Sequence, residues 1–101
     1  MLRVLLATLF VTAAAAAAHA DLSRAGTPGT VTAYELDGRT VIEVKPCLRT
    51  TRSGGYDYAR CSQWLRDSLK YQMCRTRGRG THHYLYQLGD GRPYQLSIYC
   101  K

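Results

Sequence analysis

The stretch YARCSQWLRDSLKYQMC, residues 58–74, decides the fold of this protein. Its apolar residues recur every three or four positions, which is the period of an amphipathic α-helix. Asp57 stands before it as a candidate N-cap, and Gly78 and Gly80 prevent the helix from continuing. The positions that recur at helical spacing are Tyr58, Cys61, Trp64, Leu65, Leu69, Gln72 and Met73. The sequence therefore predicts a helix from Tyr58 to about Cys74, with these residues toward the core.

Two of the four cysteines lie on this predicted helix, and their positions restrict the disulfide pairing. Cys61 and Cys74 would be about 20 Å apart along a helix, whereas a disulfide requires Cα atoms within about 7 Å. Of the two remaining connectivities, we favour Cys47–Cys61 with Cys74–Cys100, which follows the chain, over the crossed pairing. An even cysteine count without C-x-x-C or H-x-x-x-H spacing favours disulfides over a zinc site.

The segment before the helix, TVTAYELDGRTVIEV at residues 30–44, alternates apolar and polar residues around Asp37-Gly38. This dipeptide is preferred in two-residue type I′ hairpin turns, because both central residues need positive φ. The turn would pair Leu36 with Arg39. The residues then expected on the core side are Val31, Ala33, Ile42 and Val44.

The segment after the helix, THHYLYQLGDGRPYQLSIYCK at residues 81–101, is a second predicted hairpin. A three-residue loop, Gly89-Asp90-Gly91, with Gly91 in the left-handed conformation matches the apolar residues of the two strands. The pairs expected are Leu88 with Arg92, Tyr86 with Tyr94, Tyr84 with Leu96, and His82 with Ile98. The fold class predicted is a small α+β domain over residues 30–101. It has ββαββ order, an antiparallel sheet with one helix on one face, and two disulfides.

The N-terminus has the pattern of a secretory signal peptide over residues 1–20. Arg3 precedes an alanine-rich apolar run, and Ala18-His19-Ala20 forms an A-x-A cleavage signal. The alternative is an uncleaved membrane anchor, but the poly-alanine end is only weakly hydrophobic. Residues 21–29 are small, polar and turn-rich, and are predicted to form a flexible arm. The expected location is the bacterial periplasm or the outside of the cell.

Removal of the signal peptide from the 101 residues leaves 81, with 13 Lys and Arg against seven Asp and Glu, a formal charge of +6. Such a basic chain favours an anionic partner. Within the run CRTRGRGTHH, residues 74–83, a short loop is predicted from Arg75 to Gly80, and its Arg75, Arg77 and Arg79, with Arg92, are expected to bind phosphate or carboxylate groups. A merely solvated charge cluster is the alternative. The partner expected is an acidic protein or an envelope polyanion. The protein would bind this partner, and inhibition of the partner is a further form of the hypothesis. Nucleic acid is less favoured, because most tyrosines belong to the strands and the helix.

A second class of function is a small basic secreted ribonuclease. His82 and His83 would act as acid and base beside the loop arginines, with Glu43 as a further candidate base. A copper or zinc site at these histidines with Met73 is a weaker alternative, because adjacent residues of a strand diverge. No Ser-His-Asp, Cys-His or paired-carboxylate arrangement is present, and no cofactor is expected. The sequence favours a binding module over an enzyme.

Overall fold

The computed structural model of this protein describes residues 22–50 and 54–101. The predicted signal peptide and Asp21, the first residue of the predicted arm, lie outside these residues. The strands are β1 (Thr30–Tyr34), β2 (Val41–Pro46), β3 (Gly80–Leu88) and β4 (Tyr94–Cys100), and helix α1 (Tyr58–Arg77) lies between β2 and β3 in the chain. The predicted ββαββ order is confirmed. No helix among the described residues is both long and apolar enough to cross a membrane.

The four strands form one antiparallel sheet in the order β2-β1-β3-β4, with α1 on one face. Because alternate residues of a strand point to opposite faces, the cross-strand pairs define the face under the helix. The buried residues of that face are Val31 and Ala33 on β1, Tyr84 on β3, and Leu96, Ile98 and Cys100 on β4. They pack against Cys61, Leu65 and Leu69, which follow one another at four-residue intervals on α1. The domain is therefore α+β, as predicted.

Both favoured disulfides are present. Cys47 is bonded to Cys61 with their Cα atoms 5.1 Å apart, and Cys74 to Cys100 with theirs 5.4 Å apart. Cys47 follows β2 and Cys100 ends β4, the two edge strands of the sheet. These strands run antiparallel to each other, so their C-terminal ends lie at opposite corners of the sheet. The two bonds therefore hold α1 diagonally across one face.

The second hairpin has the predicted register. Tyr86 pairs with Tyr94, and the pairing continues without a shift to Gly80 and Cys100. The predicted pair of Leu88 with Arg92 does not form, since β4 begins only at Tyr94. The prediction that Gly91 is the left-handed residue of the turn was also wrong.

Gly89, rather than Gly91, has positive φ, at 58°. Its amide donates to the carbonyl of Thr30 at 2.7 Å, and a Cβ at this position would come within 2.6 Å of the Tyr58 hydroxyl oxygen. The turn therefore bends where β1 and α1 approach it, which the isolated hairpin pattern did not indicate.

The first hairpin differs from the prediction in both turn and register. Gly38 has positive φ but Asp37 does not, so the turn is not type I′. The Asp37 carboxylate instead accepts hydrogen bonds from the amides of Arg39 and Thr40, at 2.8 and 2.9 Å. A bulge follows Ala33, so Ala33 pairs with Glu43 rather than with Ile42. The four residues predicted on the core side of this hairpin therefore do not all lie on one face of the sheet. The hydrogen bonds that the Asp37 carboxylate accepts therefore stabilise this turn in place of the predicted type I′ geometry.

Helix α1 is longer than predicted and its buried stripe is narrower. It continues past Cys74 to Arg77 and ends at Gly78, whose φ is 80° and whose amide donates to the Cys74 carbonyl at 3.2 Å. Basic residues in a last helical turn are favourable beside the negative end of the helix dipole. Trp64, predicted to be buried, lies at the margin of the stripe and is 44% exposed.

The N-terminal segment, residues 22–29, lies against the sheet face opposite the helix. The Gly26 amide donates to the Thr32 hydroxyl at 3.1 Å, and the Gly29 amide to the Tyr58 hydroxyl at 2.9 Å. Thr30 and Thr32 are fully buried in β1. These contacts join the segment to the domain, and its flexibility stays a prediction.

Leu65 should be essential for stability, because it is 1% exposed in the centre of the helix stripe. We expect Leu65→Ala to lower the free energy of unfolding by about 2–5 kcal/mol, since it removes buried methyl groups and leaves a cavity. Trp64→Ala is the matched control on the same turn and should cost clearly less. Urea denaturation followed by circular dichroism measures both; equal losses would contradict this packing.

The Asp37 cap should make stability depend on acid pH. Its hydrogen bonds to the Thr40 hydroxyl, then to the amides of Thr40 and Arg39, lower the pKa of Asp37 from 3.8 to about 2. A lowered folded-state pKa stabilises the fold above the unfolded pKa, and that contribution is lost as pH falls toward about 2. Melting temperatures measured from about pH 5 to about pH 2 should therefore fall more steeply for the parent than for Asp37→Asn. Parallel curves would contradict the cap.

Candidate functional site

The four arginines predicted to share one anion site are not on a common loop. Arg75 and Arg77 belong to the last turn of α1, and only Gly78 and Arg79 connect the helix to β3. Arg92 lies in the turn between β3 and β4. The arginine-rich loop predicted from Arg75 to Gly80 is therefore wrong as a structural element. Residues two apart on a helix point about 200° away from each other, so Arg75 and Arg77 diverge.

Arg77 has an internal partner. Its Nη2 lies 2.8 Å from Oε1 and 3.1 Å from Oε2 of Glu35, and its guanidinium lies over the Tyr84 ring, 5.4 Å from the centroid. The hydrogen bonds to Glu35 raise the pKa of Arg77 above its ordinary value. The charge of Arg77 is compensated within the domain, which makes this residue a poor ligand for an external anion.

Arg75 faces the other way, toward β4. Its Nη1 donates to the Tyr71 hydroxyl at 2.7 Å, and its guanidinium lies 5.1 Å from the centre of that ring. Both residues are exposed, and Tyr71 is 65% accessible. Stacking on a tyrosine orients the guanidinium without neutralising its charge.

A groove of about 600 Å³ runs between this side of the helix and β4. We call it the α1–β4 groove. Its walls include Lys70, Tyr71 and Arg75 from the helix, and Tyr99 and Lys101 from the end of β4. Along the helix toward its N-terminus it meets a second hollow of about 310 Å³, which shares Lys70 and Tyr99 and adds Arg66. The two hollows are adjacent and share lining residues, because α1 crosses the sheet diagonally and leaves this margin uncovered.

The groove has a surplus of positive charge. None of its four cations, Arg66, Lys70, Arg75 and Lys101, forms an ion pair with residues 22–50 or 54–101. Asp67 is the acid among the lining residues, and its carboxylate accepts a hydrogen bond from the Gln63 side chain at 3.0 Å. The other acids of the described region lie outside the groove. The arrangement suits an anionic ligand.

Arg79 and Arg92 make no hydrogen bond, ion pair or ring contact in the part of the chain that the structure describes. Neither lines the groove. Of the four predicted residues, the structure therefore places only Arg75 at this site. Arg66, Lys70, Tyr71, Tyr99 and Lys101 were not among the predicted site residues. A signal for Arg66 and Lys70 was present in the sequence, since residues four apart lie on one helix face.

The two histidines lie on opposite faces of β3. His82 is on the helix side, with its Nε2 3.0 Å from the Gly78 carbonyl oxygen. His83 is exposed on the other side, with its Nδ1 2.9 Å from the Ser97 hydroxyl oxygen. They cannot approach one bond of a substrate as an acid and base pair. No cluster of three or more His, Cys, Asp or Glu among the described residues is arranged to hold a metal ion.

Glu43, a candidate base from the sequence, instead connects β2 to the helix. Its Oε1 accepts hydrogen bonds from the Ser68 hydroxyl at 2.8 Å and the Gln72 amide at 3.3 Å, and lies 3.5 Å from the Lys45 ammonium. Its strand is separated from β3 by β1. Glu43 therefore has a structural role.

The comparisons with known proteins return nothing for this chain: no family model, no curated protein and no solved structure matches it. The candidate site is defined by its own geometry.

The pairing of Arg77 with Glu35 can be separated from the free charge of Arg79 by double-mutant cycles. We expect Arg77→Ala and Glu35→Ala to be coupled by roughly 0.5–1 kcal/mol, the upper range for a partly exposed ion pair. Arg79→Ala and Glu35→Ala should be additive. Free energies of unfolding from urea titrations measure both cycles. An additive Arg77 cycle would mean that its charge is available to a ligand after all.

Proposed function

We propose that this protein is a small exported binding module, and that its α1–β4 groove binds an anionic partner. The observation that carries the proposal is the set of four cations without ion pairs that surrounds this groove beside the exposed Tyr71. Guanidinium and ammonium groups donate charge-assisted hydrogen bonds to carboxylate and phosphate oxygens. Exposed tyrosines add apolar contact area together with a hydroxyl group at the tip.

Export is supported by the signal peptide predicted at residues 1–20 and by the two disulfides. Disulfides persist in oxidising compartments such as the periplasm and the outside of the cell. An 81-residue chain buries a limited core, and bonds of this kind stabilise such small domains. The partner in such a compartment is an acidic protein or another envelope polyanion, and binding to it blocks whatever the covered surface does.

The ribonuclease alternative has no geometric support, because its two histidines lie on opposite faces of one strand. A direct assay of RNA cleavage tests this alternative. RNA cleavage by the parent protein that is abolished by His82→Ala or His83→Ala would establish it in place of the binding module.

The groove is tested by two double variants of equal charge. Lys70→Gln with Arg75→Gln removes two groove cations, and Arg24→Gln with Arg39→Gln removes two exposed cations at the β1–β2 side of the sheet. We expect the first to weaken binding of poly-L-glutamate about tenfold, because each exposed pair contributes up to about 1 kcal/mol. The second should change it less than about twofold. Fluorescence anisotropy with the labelled polymer measures the affinity.

Salt dependence provides the accompanying measurement. Parent binding should weaken steeply between 0.1 M and 1 M salt, since the Debye length falls from about 10 Å to about 3 Å. Equal losses in the two double variants would show that net charge alone attracts the polymer, and the groove would then not be its site.

A further inference from the structure

The outer edge of β4 borders the α1–β4 groove. Within the described residues β4 pairs with β3 alone, so one row of its backbone N–H and C=O groups has no strand beside it. Such an edge is a template for pairing with another extended chain. In the groove, therefore, backbone groups that can pair lie next to side chains that attract anions.

The two edges of the sheet differ in how they are protected. Edge strands are usually protected by charges, proline or a bulge. β2 carries all three, in Lys45, Pro46 and the bulge in its pairing with β1. β4, with the sequence YQLSIYC, has seven residues without a charge or proline, and its pairing with β3 is regular. The protection of one edge and not of the other points to a use for β4.

We propose that an extended acidic segment of a partner protein adds to β4 as a fifth strand, with its carboxylates turned toward the helix cations. This inference rests on the proposed function and specifies its ligand. Main-chain hydrogen bonds supply affinity in such complexes, and alternate side chains supply specificity. The occupant is an acidic polypeptide because only a polypeptide satisfies both the strand edge and the cations.

The spacing of the helix cations fits an added strand. Arg66 and Lys70 are four residues apart, so they are neighbours on one helix face, separated by about 6 Å along the helix axis. Alternate side chains of a strand are about 6.8 Å apart. Two acidic residues two positions apart would thus reach these two cations, and the long Lys and Arg side chains accommodate the oblique angle of the helix.

The residues between the acidic ones would face the opposite side of the sheet. Tyr99 projects from β4 on that side and is 62% exposed, with Ser97 beside it. Cross-strand pairs of an aromatic with a β-branched residue are favourable. A segment that alternates Glu with Thr or Val therefore matches both faces.

A second copy of this chain is a poorer occupant. Pairing β4 with β4 would bring two sets of groove cations together, in a chain whose formal net charge is +7. Like charges that face each other oppose association.

The test uses a fluorescein-labelled nine-residue peptide that alternates Glu and Thr, measured by fluorescence anisotropy with the disulfide-bonded protein. Two further peptides carry N-methyl groups on the backbone amides of either every Glu or every Thr. In an added strand only one of these two sets of amides faces β4, because successive amides point in opposite directions. We expect one methylated peptide to bind at least about tenfold more weakly and the other within about threefold of the parent peptide. A peptide alternating Lys and Thr is the charge control and should not bind.

The outcomes separate this inference from the proposed function. Unequal binding of the two methylated peptides, with slowed hydrogen exchange of β4 amides in the complex, supports strand addition. If both bind as well as the parent peptide, and Lys70→Gln with Arg75→Gln still weakens them, strand addition is overturned and the anionic groove stands. If neither the peptides nor poly-L-glutamate bind, both proposals are overturned. Tight binding of RNA, or a dimer in sedimentation that excludes the peptides, would overturn strand addition in favour of that occupant.

Discussion

The diagonal position of helix α1 is the constraint on which the rest of the structure depends. Disulfides near its two ends attach it to opposite corners of the sheet, one after β2 and one at the end of β4. The helix stripe of Cys61, Leu65 and Leu69 can then cover only the middle of the face. A domain of this size has too little core to fix such an angle firmly by packing alone. The margin beside β4 is left open as a consequence.

The distribution of acids explains why this margin is basic. Asp37 closes the first hairpin, Asp57 accepts from the Arg60 amide at the start of the helix, and Glu35 pairs with Arg77. Glu43 connects β2 to the helix through Ser68. Each of these carboxylates stabilises a structural feature away from the groove. Asp67 is the acid left beside the groove cations, and the groove therefore carries a surplus of positive charge.

A binding role agrees with this organisation better than a catalytic one. Catalysis needs an acid, a base or a nucleophile held around one reacting bond. Here the titratable groups of β3 are divided between the two faces of a strand, and the cysteines are all in disulfides. The features that do come together are cations, exposed tyrosines and a free strand edge. These features suit the binding role that we propose.

The sequence by itself determined the order of the elements and the register of the second hairpin, and it favoured the disulfides that form. Helical periodicity, glycine turns and the length of a helical turn are local properties, and the distance from Cys61 to Cys74 excluded one pairing before any folding. The tertiary structure alone decided which charges are free. Arg77 finds Glu35 at a separation of 42 residues, and the bulge after Ala33 moves Glu43 under the helix. A pattern of neighbours along the chain cannot report such partners, because charge compensation depends on which strands the fold places beside the helix.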